Sequence, residues 1–149
     1  MAGARTRRGA TGGTGYVLDE QVGFILRQVS QRHGAIFAAL IGDELTSTQW
    51  AALAKLAEKG SCSQNELGRF TAMDVATIKG VVDRLAKRGL VETRADPKDG
   101  RRLRVALTAA GREIVARAVP AAFEITRETL APLDEAERAT LIELLKKLR

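Results

Sequence analysis

The spacing of apolar residues limits the possible folds of this chain, because it changes close to residue 91 and changes back near residue 108. Before residue 91, apolar residues recur every three or four positions, as they do in amphipathic helices. Residues 91–94 and 103–107 instead alternate like half-buried strands, and residues 97–100 between them have turn-forming composition. Beyond residue 108 the helical spacing returns. We therefore predict a mainly α fold that contains one small β-hairpin.

Residues with helix-capping side chains divide the helical sequence into segments. The first helix is predicted over residues 19–40 from its apolar stripe alone. The later helices are predicted to begin at the N-cap residues Thr46, Ser63, Asp74, Thr108 and Asp134. Three of these five are followed by Gln or Glu three positions later, which completes a capping box.

The positive charge is concentrated in the middle of the chain. The net charge is +6, and between residues 84 and 104 eight basic side chains face three acidic ones. A basic patch between near-neutral flanks is typical of a nucleic-acid-binding protein, although a solvated basic face has the same composition.

The third and fourth helices together with the hairpin predict a winged helix–turn–helix. The turn between the helices spans residues 71–73, and the basic hairpin follows the second helix at once. In this motif the second helix enters the major groove, where small and polar residues let the backbone approach the base edges. A hairpin tip that carries arginines can reach the adjacent minor groove. The residues that we predict to contact DNA are Ala76, Thr77, Lys79 and Gly80 in the helix and Lys98, Arg101 and Arg102 in the hairpin.

These elements predict one folded domain preceded by a tail. Residues 1–15 contain five glycines and three arginines and almost nothing to bury, which is typical of a disordered basic tail. Residues 16–149 are sufficient for one domain, with the winged core at about 45–108 and dimerisation helices at about 19–41 and 109–149. Because winged helices also bind proteins, a protein-interaction module without DNA affinity is the alternative.

Other classes of function are disfavoured by what the sequence lacks. Cys62 and His33 are the only cysteine and histidine, so we expect neither a disulfide nor a closed zinc site. There is no glycine-rich phosphate loop, nucleophile elbow or metal-ligand spacing, and we expect neither catalysis nor a cofactor. No apolar stretch is long enough to span a bilayer or to act as a signal segment, which favours a cytoplasmic protein without membrane partners.

Residues 45–111 resemble the central region of the MarR family of bacterial transcriptional regulators. The most specific part is the wing, Asp96-Pro97-Lys98-Asp99-Gly100-Arg101-Arg102, followed by Leu107-Thr108 and Gly111. Family members usually have a basic residue where this chain has Gly100, so Arg101 is our first choice for the minor groove. The resemblance extends over about residues 19–149 and implies a homodimeric regulator, most often a repressor, that binds a pseudo-palindromic operator in double-stranded DNA.

The resemblance also implies how the two chains associate. In the family the amino- and carboxy-terminal helices of two chains interdigitate, and the winged domains flank them. The last predicted helix agrees with this arrangement, because its apolar face is too broad to remain exposed to water. The interface residues that we expect are Val22, Leu141, Leu144, Leu145 and Leu148.

Family members often release DNA when a small phenolic or aromatic acid binds between the dimer helices and the winged domain. Residues 17–33 and 71–85 are especially similar to the subgroup that regulates nicotinic acid degradation, whose effector is a hydroxylated nicotinate. The residues that we predict to bind such an effector are Arg27 for the carboxylate, His33 for a ring hydroxyl or nitrogen, Phe37 and Trp50 for the ring faces, and Ser30 beside them. The alternative is that His33 and Trp50 are packing residues of an interface and a core.

Cys62 suggests a second form of regulation. Some members of the family sense peroxide through a cysteine near the first helix, whereas Cys62 lies between the second and third predicted helices. A redox-responsive regulator is therefore one hypothesis, and an inert, partly buried cysteine is the other.

Overall fold

The computed structural model describes residues 13–149 and has the predicted mainly α architecture with one β-hairpin. In chain order the elements are α1 (Val22–Leu40), α2 (Ser47–Lys59), α3 (Gln64–Phe70), α4 (Val75–Lys87), β1 (Val91–Ala95), β2 (Leu103–Leu107), α5 (Ala109–Thr129) and α6 (Glu135–Lys147). Most of the tail that we predict over residues 1–15 lies outside the described residues.

All five predicted N-caps are confirmed. Thr46, Ser63 and Asp134 form complete capping boxes, and the side chains of Asp74 and Thr108 each accept a hydrogen bond from the amide three positions later. These bonds satisfy backbone donors that a helix start leaves free, which is why short polar side chains predict the boundaries well.

The first helix begins later than predicted. Residues Leu18–Glu20 form a separate 3₁₀ turn, and Gln21 has extended backbone angles (φ −91°, ψ 131°). The apolar spacing alone did not reveal this break, because the 3₁₀ turn and α1 have similar periods. The α-helix therefore starts at Val22 rather than at Asp19.

The two strands form the predicted hairpin and pair antiparallel. Val91 faces Leu107 and Ala95 faces Leu103. A further bridge, absent from our prediction, joins Cys62 to Val105 through two backbone hydrogen bonds of 3.2 and 2.7 Å. The segment before α3 thus forms a one-residue third strand that fixes the hairpin to the helix–turn–helix.

The core lies between the helices of the winged unit. Its largest fully buried side chains are Leu45, Leu53, Leu67, Ile78, Val81 and Leu85. Three of them belong to one face of α4, so the opposite face of α4 is directed to solvent.

Helix α4 ends in a glycine motif that leads directly into the hairpin. Gly89 has a positive φ of 69°, which glycine adopts at little cost. Its amide donates to the Ala86 carbonyl (2.9 Å), and the Leu90 amide donates to the Leu85 carbonyl (3.0 Å), the pattern of a Schellman cap. The chain therefore reverses sharply, and Leu90 is placed against the start of α5.

The start of α5 is fixed to this turn by close backbone contact. The Thr108 hydroxyl donates to the Gly89 carbonyl (2.6 Å), and the Thr108 amide donates to the Leu90 carbonyl (3.1 Å). Gly111 lies one helical turn further along, and a Cβ atom there would overlap the Leu90 carbonyl oxygen. Only glycine therefore allows α5 to approach the turn after α4 this closely.

The helices outside the winged core have broad apolar surfaces. Val22 in α1 is 65% exposed, Phe123 in α5 is 74% exposed, and Leu148 after α6 is 73% exposed. Within residues 13–149, helix α6 makes only sparse contacts with the other elements. Among the described residues, no helix combines the length and apolarity that crossing a membrane requires.

The contact at Gly111 gives a direct test of this architecture. We expect Gly111→Ala to lower the free energy of unfolding by roughly 3 kcal/mol, because the added methyl group must displace the backbone at Leu90. Gly80→Ala, inside α4, is the matched control, since a Cβ there meets only the end of the Arg84 side chain at 3.4 Å. That change should raise stability by about 1 kcal/mol. Denaturant unfolding measures both, and equal effects would contradict the packing argument.

Candidate nucleic-acid interface and effector site

The amino-terminal half of α4 presents small and polar side chains to solvent. Ala76, Thr77 and Lys79 are exposed, and Gly80 is half-buried. Asp74 begins the helix by accepting a hydrogen bond from the Thr77 amide (2.7 Å), and this bond lowers the pKa of the Asp74 carboxyl. The four predicted base-reading residues therefore lie on an accessible part of the helix whose start is firmly capped.

Two charged contacts shape this surface. Lys79 forms an ion pair with Asp83 one turn later, with Nζ and Oδ2 2.8 Å apart. The Arg84 guanidinium lies over the backbone of Gly80. Sequence reasoning did not assign Arg84 to the interface, although its spacing of four from Gly80 places both on one face.

The wing is ordered by the carboxylate of Asp96. It accepts a hydrogen bond from the Lys98 amide (2.8 Å) and pairs with Arg104, whose Nη1 lies 3.3 Å from Oδ2. Arg104 also donates to the hydroxyl of Ser61 (3.2 Å) and to its carbonyl. Arg104 is thus a structural tie between the wing and the residues before α3.

The remaining basic side chains of the wing are free to point outward. Lys98, Arg101 and Arg102 are all exposed at the tip. Arg102 lies 3.7 Å from Asp99, while within residues 13–149 no acid lies within ion-pair distance of Lys98 or Arg101. Lys98 and Arg101 therefore carry the uncompensated charges of the tip, and the choice of Arg101 for the minor groove stays a prediction.

Helix α3 borders two grooves that connect these elements. One groove of about 390 Å³ separates α3 from the start of α4. Another of about 520 Å³ separates α3 from the wing, and Arg69 lines both. We did not predict a role for Arg69 from the sequence. The available signal was that Arg69 is a basic residue in the last turn of α3, the first helix of the motif.

His33 is the predicted effector residue that the structure places beside a cavity. Its Nδ1 lies 2.9 Å from the Thr129 hydroxyl at the end of α5. The neighbouring Arg32 donates to the carbonyls of Thr129 (2.6 Å) and Glu128 (2.9 Å). Both side chains line an apolar cavity of about 470 Å³ between α1, α5 and α6, with Leu141 and Leu145 on its far wall.

The other predicted effector residues are not gathered at this cavity. Arg27 and Ser30 are exposed on α1. Phe37 is only 8% exposed and belongs to the core, and Trp50 packs half-buried against that core. In the single chain neither ring therefore lies at the cavity beside His33, and their predicted contact with an effector stays a prediction. Arg32, which contacts the end of α5, was missed.

Cys62 has the properties of an inert residue. It is 4% exposed, and burial raises the pKa of its thiol, so little of the reactive thiolate is present at neutral pH. Its backbone is held in the bridge to Val105. Among residues 13–149 no cluster of His, Cys, Asp or Glu side chains could hold a metal ion.

Comparison with known proteins agrees with this architecture. A family model described as "MarR family" matches residues 45–103. The HTH-type transcriptional repressor NicR of Pseudomonas putida is 41% identical over 91% of this chain and 86% of its own length. A probable transcriptional regulator from Pseudomonas aeruginosa is 59% identical, with a TM-score of 0.86 over 89% of this chain and 100% of that one. BpsR of Bordetella bronchiseptica, solved to explain how 6-hydroxynicotinic acid regulates its DNA binding, is 42% identical, with a TM-score of 0.86 over 89% and 96%.

The folded conformation of the wing should depend on pH, because it is held by the charged carboxylate of Asp96. The Lys98 amide, followed by Arg104, lowers the pKa of Asp96, so the folded wing stabilises the charged carboxylate. This stabilisation is complete above the ordinary aspartate pKa of about 4 and is lost as the pH falls through the lower, folded value. Nuclear magnetic resonance titration should show Asp96 titrating below the ordinary range, together with the Lys98 amide. Asp96→Asn should abolish the response at Lys98, and a titration at or above pH 4 would contradict the assignment.

Proposed function

The chain belongs to the MarR family and is a DNA-binding transcriptional regulator, and we propose that it reads its operator through the outward face of α4 while the wing grips the adjacent groove. The observation that carries this proposal is the rigid connection between the two elements. The exposed start of α4 and the arginine-bearing wing are both attached to one core, through the Leu85–Leu90 cap and the Cys62–Val105 bridge. A rigid unit of this kind can hold a helix and a hairpin in register with neighbouring grooves.

Within this interface we assign different roles to the two sets of residues. Ala76, Thr77, Lys79 and Gly80 contact base edges in the major groove and carry sequence information. Arg101, assisted by Lys98 and Arg102, enters the minor groove or contacts its phosphates, where the negative potential is strongest. Helix-borne residues should therefore determine which sequence is bound, and wing residues should determine mainly how tightly.

We further propose that the operator is bound by a homodimer formed through α1, α5 and α6. Val22, Leu144, Leu145 and Leu148 are exposed in the single chain, and Leu141 lines the cavity beside α6. A continuous apolar surface of this kind is normally covered by a partner. A two-fold arrangement would place the two reading helices about 34–36 Å apart and explain a pseudo-palindromic operator.

The effector that we propose is a small planar aromatic carboxylate of the hydroxynicotinate class. BpsR, at 42% identity, is regulated by 6-hydroxynicotinic acid, and NicR is the repressor relative at 41% identity. In this chain we propose that His33 contacts the ring and that Arg27, which is exposed on the same helix and does not line the cavity beside His33 in the single chain, contacts the carboxylate. Arg27 is chosen over Arg32 because the Arg32 guanidinium already donates to two carbonyls of α5.

The first test separates DNA binding from a winged protein-interaction module. Binding of the full chain to duplex DNA from its own upstream region should weaken steeply as the salt concentration rises. A plot of the logarithm of the binding constant against the logarithm of the salt concentration should have a slope of about −0.9 for each neutralised phosphate. A flat salt response, or no binding to any duplex, would favour a protein partner instead.

The second test separates the roles of helix and wing. Arg101→Ala should weaken binding by a similar factor across a randomised operator library, because its contacts are largely to backbone and groove shape. Thr77→Ala should instead change base preference at one position of each half-site, with a cost of about 1–3 kcal/mol for the preferred base. Selection and sequencing of bound DNA measures both profiles, and indistinguishable profiles would contradict the assignment.

The third test concerns the effector. Arg27→Gln should weaken binding of 6-hydroxynicotinate by about 10- to 100-fold, the value of a charge-assisted hydrogen bond. It should leave binding of 2-hydroxypyridine, the same ring without the carboxylate, unchanged in calorimetry. Arg32→Gln is the matched control on the same helix. Equal losses for both ligands, or a selective loss only in Arg32→Gln, would move the carboxylate site away from Arg27.

A further inference from the structure

Val75, the first residue of α4, is exposed to an extent that folding does not explain. Its side chain is 70% exposed, the largest value for a bulky apolar residue between residues 45 and 108. An isolated exposed valine is common on protein surfaces. Val75, however, lies at the start of the helix whose outward face we assign to base recognition. Its exposed side chain is therefore placed where it could contact a base.

The local structure does not need Val75 for stability. Helix α4 is already capped by the Asp74 carboxylate, which accepts from the Thr77 amide at 2.7 Å. The apolar residues that flank the cap, Met73 before it and Ile78 after it, are the ones that pack against the core. These are the two positions of a hydrophobic staple, and Val75 is not one of them. A polar residue at position 75 would therefore cost the fold little.

The surroundings of Val75 are those of a nucleic-acid-facing surface. It lines the groove of about 390 Å³ between α3 and α4, together with Asn65 and Arg69 of α3. On α4 it lies one turn before Lys79, on the same side of the helix. The first helix of such a motif crosses the DNA backbone. A basic and an amide side chain on α3 thus border one side of Val75, and the proposed base-reading residues border the other.

The side chain of Val75 has no hydrogen-bonding atom, which restricts what it can recognise. Among the edges that the four base pairs present in the major groove, the apolar group is the C5-methyl of thymine. We propose that Val75 contacts this methyl group of one thymine in each operator half-site. The inference rests on the proposed function, because it requires α4 to enter the major groove, and it adds a specificity residue that sequence reasoning did not identify.

The experiment uses the full chain and an operator duplex selected by the wild-type protein. Each thymine of the half-sites is replaced in turn by deoxyuridine, symmetrically in both halves, which removes only the methyl group. We expect one position at which the wild type loses about 4-fold per half-site, the ratio for removing one methyl group from an apolar contact. The double replacement should therefore weaken binding about 15-fold.

Variants of Val75 connect that position to the side chain. Val75→Ala should bind the thymine operator more weakly and should no longer distinguish thymine from deoxyuridine at the sensitive position. Val75→Thr keeps the shape of the side chain and replaces one methyl group by a hydroxyl. Its loss of affinity on replacing thymine by deoxyuridine should lie between those of the wild type and Val75→Ala. Because alanine favours helices more than valine does, thermal unfolding should show no loss of stability in Val75→Ala.

The outcomes separate this inference from the proposed function. If the wild type binds its operator specifically but Val75→Ala keeps the full deoxyuridine response, the thymine contact is overturned and the DNA-binding function stands. The same holds if Val75→Ala weakens all duplexes by one factor, which would indicate a sequence-independent contact. If the wild type binds no duplex specifically, the proposed function fails and this inference fails with it.

Discussion

The close approach of Gly111 to the Leu90 carbonyl holds the winged unit to the long helix α5. It joins the end of α4 to the start of α5, with Thr108 donating to the carbonyls of Gly89 and Leu90 across the same junction. Because both sides of the contact are backbone, it has little freedom to adjust. The end of α4 is therefore held against the start of α5, a helix of 21 residues or about 30 Å, while the buried side chains of α4 hold the rest of the helix in the core.

The other end of α5 is held by side chains of α1. These contacts connect the proposed effector site, beside His33, to the helix that supports the DNA-binding unit. Arg32 and His33 of α1 contact the last turn of α5 through the carbonyls of Glu128 and Thr129 and the Thr129 hydroxyl. Cationic side chains at a helix carboxy-terminus also interact favourably with the helix dipole. In the proposed function, an effector beside His33 would act on one end of α5 while the reading helix is attached to the other. A ligand that binds one arrangement of this helix more tightly shifts the equilibrium toward that arrangement, by the difference in its binding free energy for the two arrangements. In the proposed dimer, the two arrangements would differ in the spacing of the two α4 helices.

Many elements of the fold could be predicted because their determinants are local. The caps at Thr46, Ser63, Asp74, Thr108 and Asp134 depend on side chains within three residues of the amides that they bind, and the hairpin depends on its alternation and turn. The exposed residues of α4 and the wing followed in the same way, because burying Ile78, Val81 and Leu85 leaves the opposite face outside. Residues near Asp19 were misassigned because a 3₁₀ turn has almost the same apolar spacing as an α-helix.

The order of the helices, the presence of the hairpin and the basic surface of the wing could all be read from the sequence, since each follows from periodicity, capping or charge over short stretches. Three features became apparent from the packing of the helices: Phe37 belongs to the core with Trp50 half-buried against it, Cys62 is bridged to Val105, and Arg32 holds the end of α5. Residues that are 43 or 97 positions apart in the chain meet in these contacts. Their meeting depends on how several helices pack together, and no local pattern of residue types records that packing.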